Sequence, residues 1–467
     1  MSDLSQRFLS SLAETGLIPA ESRVLVAVSG GADSIALLAL LNESAEIFSL
    51  QLEAAHLDHA LRSESAQDAE FVKAFCLGLA IPLTVERCDV AGKVRALKGN
   101  LEEVARQERR TFLRRTAMVR QCNLIALGHH LGDQAETFLL RLLRGTGPTG
   151  LSGMQLRSDG FVRPLLRFTR GEIFDYLESR GLSWREDKSN RDCAFTRNRI
   201  RHELLPLLRE FNPNIERRMA ELCALFAQDE AYWKEVTEQA IAKHCLEEEE
   251  GLSLPRKLLL EAPPALSGRL IRAALLRVRG HLRRISSVHV ANVLALVAGE
   301  APQAEATLPE CWVARRYDRL LFRRRPPQKP DFTPVVIAGP GIYLLPDGRR
   351  LLVSVHDASQ GEDPSATEFS ADAVAFPLLV RTFLPGDRLH PDGMRGSKKL
   401  QDLFVDAKLT KELRATCPLV VRGDEILWVV GLRRCRGYHV RDLVQKIVRL
   451  RVLNEGQTDS GTSPPRG

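Results

Sequence analysis

The most constraining feature of this 467-residue chain is a single run near its amino end. Arg23 to Val28 (RVLVAV) is continuously apolar and β-branched, the pattern of a strand buried on both faces. Ser29-Gly30-Gly31-Ala32-Asp33-Ser34 follows at once, and Ser34 to Leu41 then reads as a helix. Strand, glycine turn and helix in that order predict a βα unit whose loop and helix amino end face an anion. A lone Ser-Gly-Gly would be read as an ordinary capped turn. The hydroxyls of Ser29 and Ser34 and the carboxylate of Asp33 change that reading. A carboxylate beside a phosphate site repels it unless a cation bridges them, so Asp33 points to magnesium-ATP. No Gly-Lys-Ser/Thr follows, so the loop is not of the Walker kind.

Further apolar runs alternate with helical patterns. A strand reaches about His56, a helix runs through Phe71 and Phe75, and a strand lies near Pro82–Val85. A long helix spans Leu101–Val119, a short strand Leu124–Leu127, and a helix Asp133–Leu143. That alternation predicts an α/β, doubly wound, mostly parallel sheet over residues 1–212. After about Pro206 the strand signals stop, and 213–325 reads as a helical domain. Residues 323–330 have a linker's composition, 333–453 a small α+β module, and 454–467 a disordered tail.

Hydrophobic residues make up 44% and charged residues 27%, enough for several packed cores. The net charge of +7 fits a polyanionic partner without requiring one. Nine cysteines stand far apart with no C-x-x-C pair, which speaks against zinc ribbons, redox pairs and any structural metal. Scattered thiols, no apolar leader and no membrane-length apolar stretch lead us to expect a cytoplasmic protein with no membrane partner.

Two segments fall at strand ends, where doubly wound sheets bind ligands. One is His56-Leu57-Asp58-His59-Ala60-Leu61-Arg62. The other is Gly128-His129-His130-Leu131-Gly132-Asp133-Gln134-Ala135-Glu136-Thr137. Asp133 and Glu136, three apart on a helix, share a face. An acidic pair at a helix start is more often a cap or a solvated face, but Asp33 is expected at the same sheet edge. The histidines form two separated pairs, which favours hydrogen bonding or stacking over a metal site.

The loop SGGADS resembles the pyrophosphatase loop of the N-type ATP pyrophosphatases. With Arg163-Pro164-Leu165-Leu166, Glu186-Asp187-Lys188-Ser189-Asn190 and Thr196-Arg197-Asn198-Arg199-Ile200-Arg201, the chain resembles the tRNA(Ile)-lysidine synthetase family. The likeness continues at 385–388 (PGDR), Lys398-Lys399-Leu400 and 402–408, so it covers almost the whole chain. It implies that ATP adenylates the C2 oxygen of the wobble cytidine of a CAU-anticodon tRNA(Ile). The ε-amine of free lysine then displaces AMP.

The resemblance implies catalytic roles for Asp33, Asp133, Glu136 and Arg106, with magnesium on Asp33 and Asp133; Asp133 and Glu136, sharing a face, are expected to bind magnesium or lysine. ATP contacts fall on Ser29, Gly30, Gly31, Ala32, Asp33, Ser34, His56, Asp58, Arg62, Gly128 and His129. The tRNA contacts fall on Arg197, Arg199, Arg201, Lys398 and Lys399, and the basic residues of the last two domains, Arg279 among them, serve tRNA selection. Gly132 departs from the family, in which an acidic residue commonly precedes the aspartate. A homodimer is compatible with all of this. The alternatives are a tRNA thiolase of the same superfamily, which needs reactive cysteines, and a tRNA-binding module without catalysis.

Overall fold

The computed structural model describes residues 3–58, 65–97, 101–185, 196–248, 250–328, 332–361, 363–394, 396–438 and 446–453. His59 to Arg62, Glu186 to Asn190 and the tail 454–467 lie outside the described residues. The chain divides into two compact units, 1–234 and 235–467. Among the described residues no helix is long and apolar enough to cross a membrane.

The first unit opens with α1 (Asp3–Thr15), β1 (Arg23–Ala27), α2 (Ala32–Phe48), β2 (Gln51–Asp58), α3 (Ser65–Gly78) and β3 (Leu83–Arg87). It continues with α4 (Val90–Leu97), α5 (Leu101–Val119), β4 (Leu124–Ala126), α6 (Leu131–Leu143) and α7 (Pro148–Leu151). Then come β5 (Arg157–Ser158), β6 (Phe161–Val162), α8 (Arg170–Ser179) and α9 (Thr196–Arg199). A π-helical turn at Ile200–Leu204 leads into α10 (Leu205–Phe211) and α11 (Ile215–His244). The sheet order is β3-β2-β1-β4-β6-β5, parallel except for β5 on β6. Val24, Leu25 and Val26 are fully buried, as expected of a strand covered on both faces. α2 carries Ile35, Leu37, Leu38 and Leu41 into one core, while Phe112 and Leu113 of α5 cover the opposite face with Leu25 and Ile125. The doubly wound α/β expectation therefore holds.

The second unit departs from the sequence reading in one respect. Helices α12 (Arg256–Glu261), α13 (Pro264–Arg279) and α14 (Ser287–Ala298) lie where helical patterns were read. Around them stands a five-stranded antiparallel sheet that the reading lacked. Its strands are β7 (Leu246–Glu248), β8 (Gly251–Pro255), β9 (Gln303–Leu308), β10 (Cys311–Arg316) and β11 (Arg319–Arg323). All of β10 is buried, Arg315 and Arg316 included. Arginines at two successive strand positions mimic a surface segment, because buried arginine needs partners that only the fold supplies. Arg315 donates to the carbonyls of Leu296 and Gly299, and Arg316 to Glu412 at 2.6 Å.

The remainder carries β12 (Val335–Ile337), β13 (Gly341–Leu344), β14 (Arg350–His356), β15 (Ala366–Ser370), β16 (Leu378–Arg381), β17 (Arg388–Leu389) and β18 (Lys398–Lys399). It ends with α15 (Leu400–Asp406), α16 (Lys411–Thr416), β19 (Leu419–Arg422), β20 (Glu425–Val429), β21 (Arg433–Arg434) and β22 (Ile447–Leu453). Three antiparallel sheets result, β12-β16-β19-β20-β21, β13-β14-β22-β15 and the two-stranded β17-β18, consistent with the small α+β module.

Candidate active site

In the first sheet β1 lies between β2 and β4, so the loops leaving β1 and β4 open side by side at the carboxyl edge. That is the switch point where doubly wound sheets leave a crevice. The β1 loop is shaped by its own hydroxyls. Ser34 Oγ accepts from Ser29 N at 3.1 Å, donates to Gly31 O at 2.9 Å, and lies 3.2 Å from Ser29 Oγ. Gly31 N donates to Ser29 Oγ at 3.4 Å. Gly30 adopts φ +89°, a conformation side chains resist, and its carbonyl accepts from Arg185 N at 2.9 Å. Gly31 caps α2 without a side-chain hydrogen bond, and Ala32 begins the helix. The amino end of α2 is therefore left for an anion.

The β4 loop passes directly against that helix start. A Cβ on Gly128 would stand 3.0 Å from the Asp33 carbonyl. His130 then caps α6: its Nδ1 accepts from Gly132 N at 2.9 Å, while Asp133 Oδ2 accepts from His130 N at 3.0 Å. Because Nδ1 accepts, the ring proton sits on Nε2. That nitrogen lies 3.9 Å from Asp33 Oδ1 and 3.7 Å from Asp133 Oδ2, so one imidazole stands between the two aspartates. A Cβ at Gly132 would come within 2.8 Å of His130 Cε1, so a larger residue there requires the imidazole to shift.

Asp133 and Glu136 are both buried on α6 and face two arginines. Arg197 Nε donates to Glu136 Oε2 at 2.7 Å and its Nη2 to Asp133 Oδ1 at 3.1 Å. Arg201 Nε donates to Glu136 Oε1, and its Nη2 to Asp133 Oδ1 at 3.3 Å. Arg197 and Arg201 are four apart across the junction of α9 and the π-helical turn, so they present one face. Arg199 points away and pairs with Glu203 at 3.1 Å.

The three carboxylates differ electrostatically. Burial raises the Asp33 carboxyl above its ordinary range, against the pull of His130, and Asp133 adds to the rise; its Oδ1 has no hydrogen-bond partner. Burial also acts on Asp133, but His130, His129, Arg197 and the His130 amide outweigh it and hold that carboxyl low. Glu136 has both oxygens on guanidinium donors. His129 is pushed down to about 4, chiefly by burial and then by Arg163, Arg197 and Arg106 against the pull of Asp133. Its Nδ1 is buried without a partner.

Arg106, on α5, is near enough to His129 to contribute to that lowering. His56 closes the neighbouring strand end: its Nδ1 donates to the Val28 carbonyl at 2.9 Å. Asp58 is buried beside Arg87 at 3.5 Å. Arg62 lies outside the described residues. Arg163 and Arg170 were not among the expected contacts. Arg163 is buried and donates to Gln155 O at 2.7 Å, and Arg170, opening α8, pulls on the Asp33 carboxyl. His130 and Asp133 form a capping box, but His-x-x-Asp lacks the usual Ser/Thr-x-x-Glu/Gln signature, and nothing local marks Arg170.

In the second unit Lys399 is exposed, and Lys398 pairs with Asp406. Arg279, expected among the residues that select tRNA, is buried and donates to the carbonyls of His281 and Arg283 at 3.0 and 2.9 Å. It is corrected to a structural residue.

Among the described residues no three His, Cys, Asp or Glu side chains converge as a metal cage. A single unpartnered carboxylate oxygen beside a phosphate-type loop still suits Mg2+, which takes much of its shell from nucleotide and water.

Comparison with known proteins agrees along the chain. Residues 2–208 match the PP-loop domain model, 254–321 the TilS substrate binding domain, and 378–451 the TilS substrate C-terminal domain. The tRNA(Ile)-lysidine synthase of Geobacter sulfurreducens is 41% identical over 90% of this chain and 91% of its own. That of Symbiobacterium thermophilum is 35% identical over 98% and 99%. Among solved structures, a U34-tRNA thiolase from Methanococcus maripaludis with its [4Fe-4S] cluster overlaps 48% of this chain and 78% of its own. Its 18% identity and TM-score of 0.42 leave it too remote to weigh. The chain belongs to the tRNA(Ile)-lysidine synthase family.

Proposed function

We infer that this protein forms lysidine in tRNA(Ile) at the expense of ATP. The observation that carries the reading, beside family membership, is the crevice where the serine-shaped loop, Asp33 with its unpartnered oxygen, and the arginine-held Asp133 and Glu136 meet. In the first step the cytidine C2 oxygen attacks the α-phosphorus of ATP and pyrophosphate leaves. In the second the ε-amine of lysine attacks C2, AMP departs with the oxygen, and the amine loses a proton. The loop Ser29–Ser34 and the amino end of α2 hold the departing pyrophosphate. Asp33 is assigned the magnesium, which supplies charge neutralisation on the phosphates when bound.

Asp133 and Glu136 were expected on magnesium or lysine. Their present partners assign Glu136 to holding Arg197 and Arg201 over the crevice, where guanidinium charge stabilises a developing phosphate anion. A lysine ammonium reaching either carboxylate has to displace a guanidinium. Arg199 and Lys399, turned outward, remain assigned to tRNA phosphates, and the modules 213–325 and 333–453 to tRNA selection.

Five of the nine thiols speak against the thiolase alternative. Burial pushes Cys76, Cys223 and Cys311 up to about 11, and Cys417 and Cys435 up to about 12, so these do not supply a thiolate at neutral pH. The decisive experiment is mass spectrometry of nucleosides from a CAU-anticodon tRNA(Ile) incubated with the protein, ATP and isotope-labelled lysine. Label in lysidine is expected; unmodified or thiolated cytidine overturns the reading.

A further inference from the structure

The phosphate loop Ser29–Ser34 carries one charged side chain, Asp33, and it is negative. The group assigned to that loop, departing pyrophosphate, gains negative charge as the bond to the α-phosphorus breaks. Backbone amides and a magnesium ion answer part of that charge, and cationic side chains have to come from other segments. Arg170 and Arg201 act on one end of the loop, where both draw on the Asp33 carboxyl. The glycine end is met by Arg185. Its backbone N–H donates to the Gly30 carbonyl at 2.9 Å, which pins residue 185 against the turn. A Cβ built on Gly30 would stand 4.0 Å from the Arg185 Cβ and 3.7 Å from Phe71 Cδ1. One built on Gly31 would stand 4.0 Å from the Arg185 carbonyl oxygen. The chain at 185 therefore lies across both glycines.

The Arg185 side chain is exposed, and its guanidinium carbon lies 5.6 Å from the centre of the Phe71 ring on α3. Phe71 is itself held, packed against the main core of the first unit. An aromatic face is a weak resting place for an exposed guanidinium, whereas a phosphate is a charge-assisted, bidentate partner. The ring keeps the side chain close to the glycine turn without neutralising it, as a carboxylate would. We propose that Arg185 is a phosphate-binding residue of the adenylation step: it leaves Phe71 for the β,γ-phosphates of bound ATP and stays with the pyrophosphate as it departs. Arg185 precedes the segment 186–190 on which the family resemblance partly rests, and received no role from it. The proposal rests on the reading that this crevice cleaves ATP, and adds a cation to the leaving-group side of that reaction.

The test uses the full chain and calorimetric titration with ATP, pyrophosphate and AMP, each with magnesium and without tRNA. Arg185→Gln is expected to weaken ATP and pyrophosphate about tenfold and to leave AMP unchanged. Arg185→Lys, which keeps the charge without the planar fork, should fall between the two. Phe71→Leu removes the ring and keeps the arginine, so its pyrophosphate affinity should stay at the wild-type level. Unchanged pyrophosphate affinity in Arg185→Gln overturns the proposal. An equal loss for AMP also overturns it, because the whole loop is then deformed. A loss in Phe71→Leu matching that in Arg185→Gln overturns it as well, since the arginine then acts only by packing on the ring. Wild-type protein that binds neither ATP nor pyrophosphate overturns the functional reading and this proposal together. Wild-type binding that Arg185→Gln does not change overturns the proposal alone.

Discussion

The phosphate loop and the carboxylate–arginine cluster share one crevice but are built in opposite ways. The loop's hydroxyl hydrogen bonds join residues two to five apart, and only the Gly30 carbonyl, accepting from Arg185 N, is described with a distant partner. The cluster joins residues 61 to 68 apart and consists of ionised groups, its carboxylates buried. Local bonds form as soon as β1 and α2 form, and each is worth about 1 kcal/mol. A buried ion cluster exists only after the fold has closed, and it is costly to leave half made. Asp33 sits between the two, sequence-local to the loop yet electrically coupled to the cluster through His130 and Asp133.

Asp33 should therefore show the largest functional effect with the smallest structural one. Asp33→Ala is expected to lower tRNA-dependent pyrophosphate release by at least about 100-fold, with no loss of thermal stability. Wild-type release in the variant breaks the assignment. The stability sign follows from linkage. A carboxyl raised in the fold binds protons more tightly there than in the unfolded chain, so its contribution falls as pH rises from its ordinary 3.8 through the raised value. Asp33→Asn should thus gain stability at neutral pH, the gain vanishing in acid. Asp133 is lowered instead, so its contribution is present above 3.8 and lost as pH falls through the folded value. Asp133→Asn should lose stability at neutral pH, and urea titrations at several pH values separate the two signs.

Glu136 tests the other side. Glu136→Gln leaves two guanidinium groups short of charge and should destabilise the protein by about 3 kcal/mol, visible as a lower urea midpoint. It should also slow adenylation. If the variant instead accumulates adenylated tRNA while adenylation stays fast, Glu136 acts on lysine and not through the arginines.

The smallest effect belongs to the loop. Ser34→Ala removes a hydroxyl with three close contacts and should cost about 1 kcal/mol, with a rise of a few-fold in KM for ATP and kcat nearly kept. A collapse of kcat here would mean that the loop is no more local in its energetics than the cluster.

Local pattern was enough for the strand–loop–helix unit, the parallel sheet, the shared face of Asp133 and Glu136, and the family. Burial on both faces leaves an unbroken apolar strand, glycines mark the loop, and a 3.6-residue period puts positions three apart together. The tertiary structure alone decided which cations meet those carboxylates. Arg197, Arg199 and Arg201 look alike in sequence, yet the first and third meet the buried carboxylates and the second stays outside on Glu203. It likewise decided that Arg279, Arg315 and Arg316 are interior residues. Such charges are tolerated only where distant carbonyls and carboxylates are brought to them, and the sequence near an arginine does not record partners brought from elsewhere in the chain.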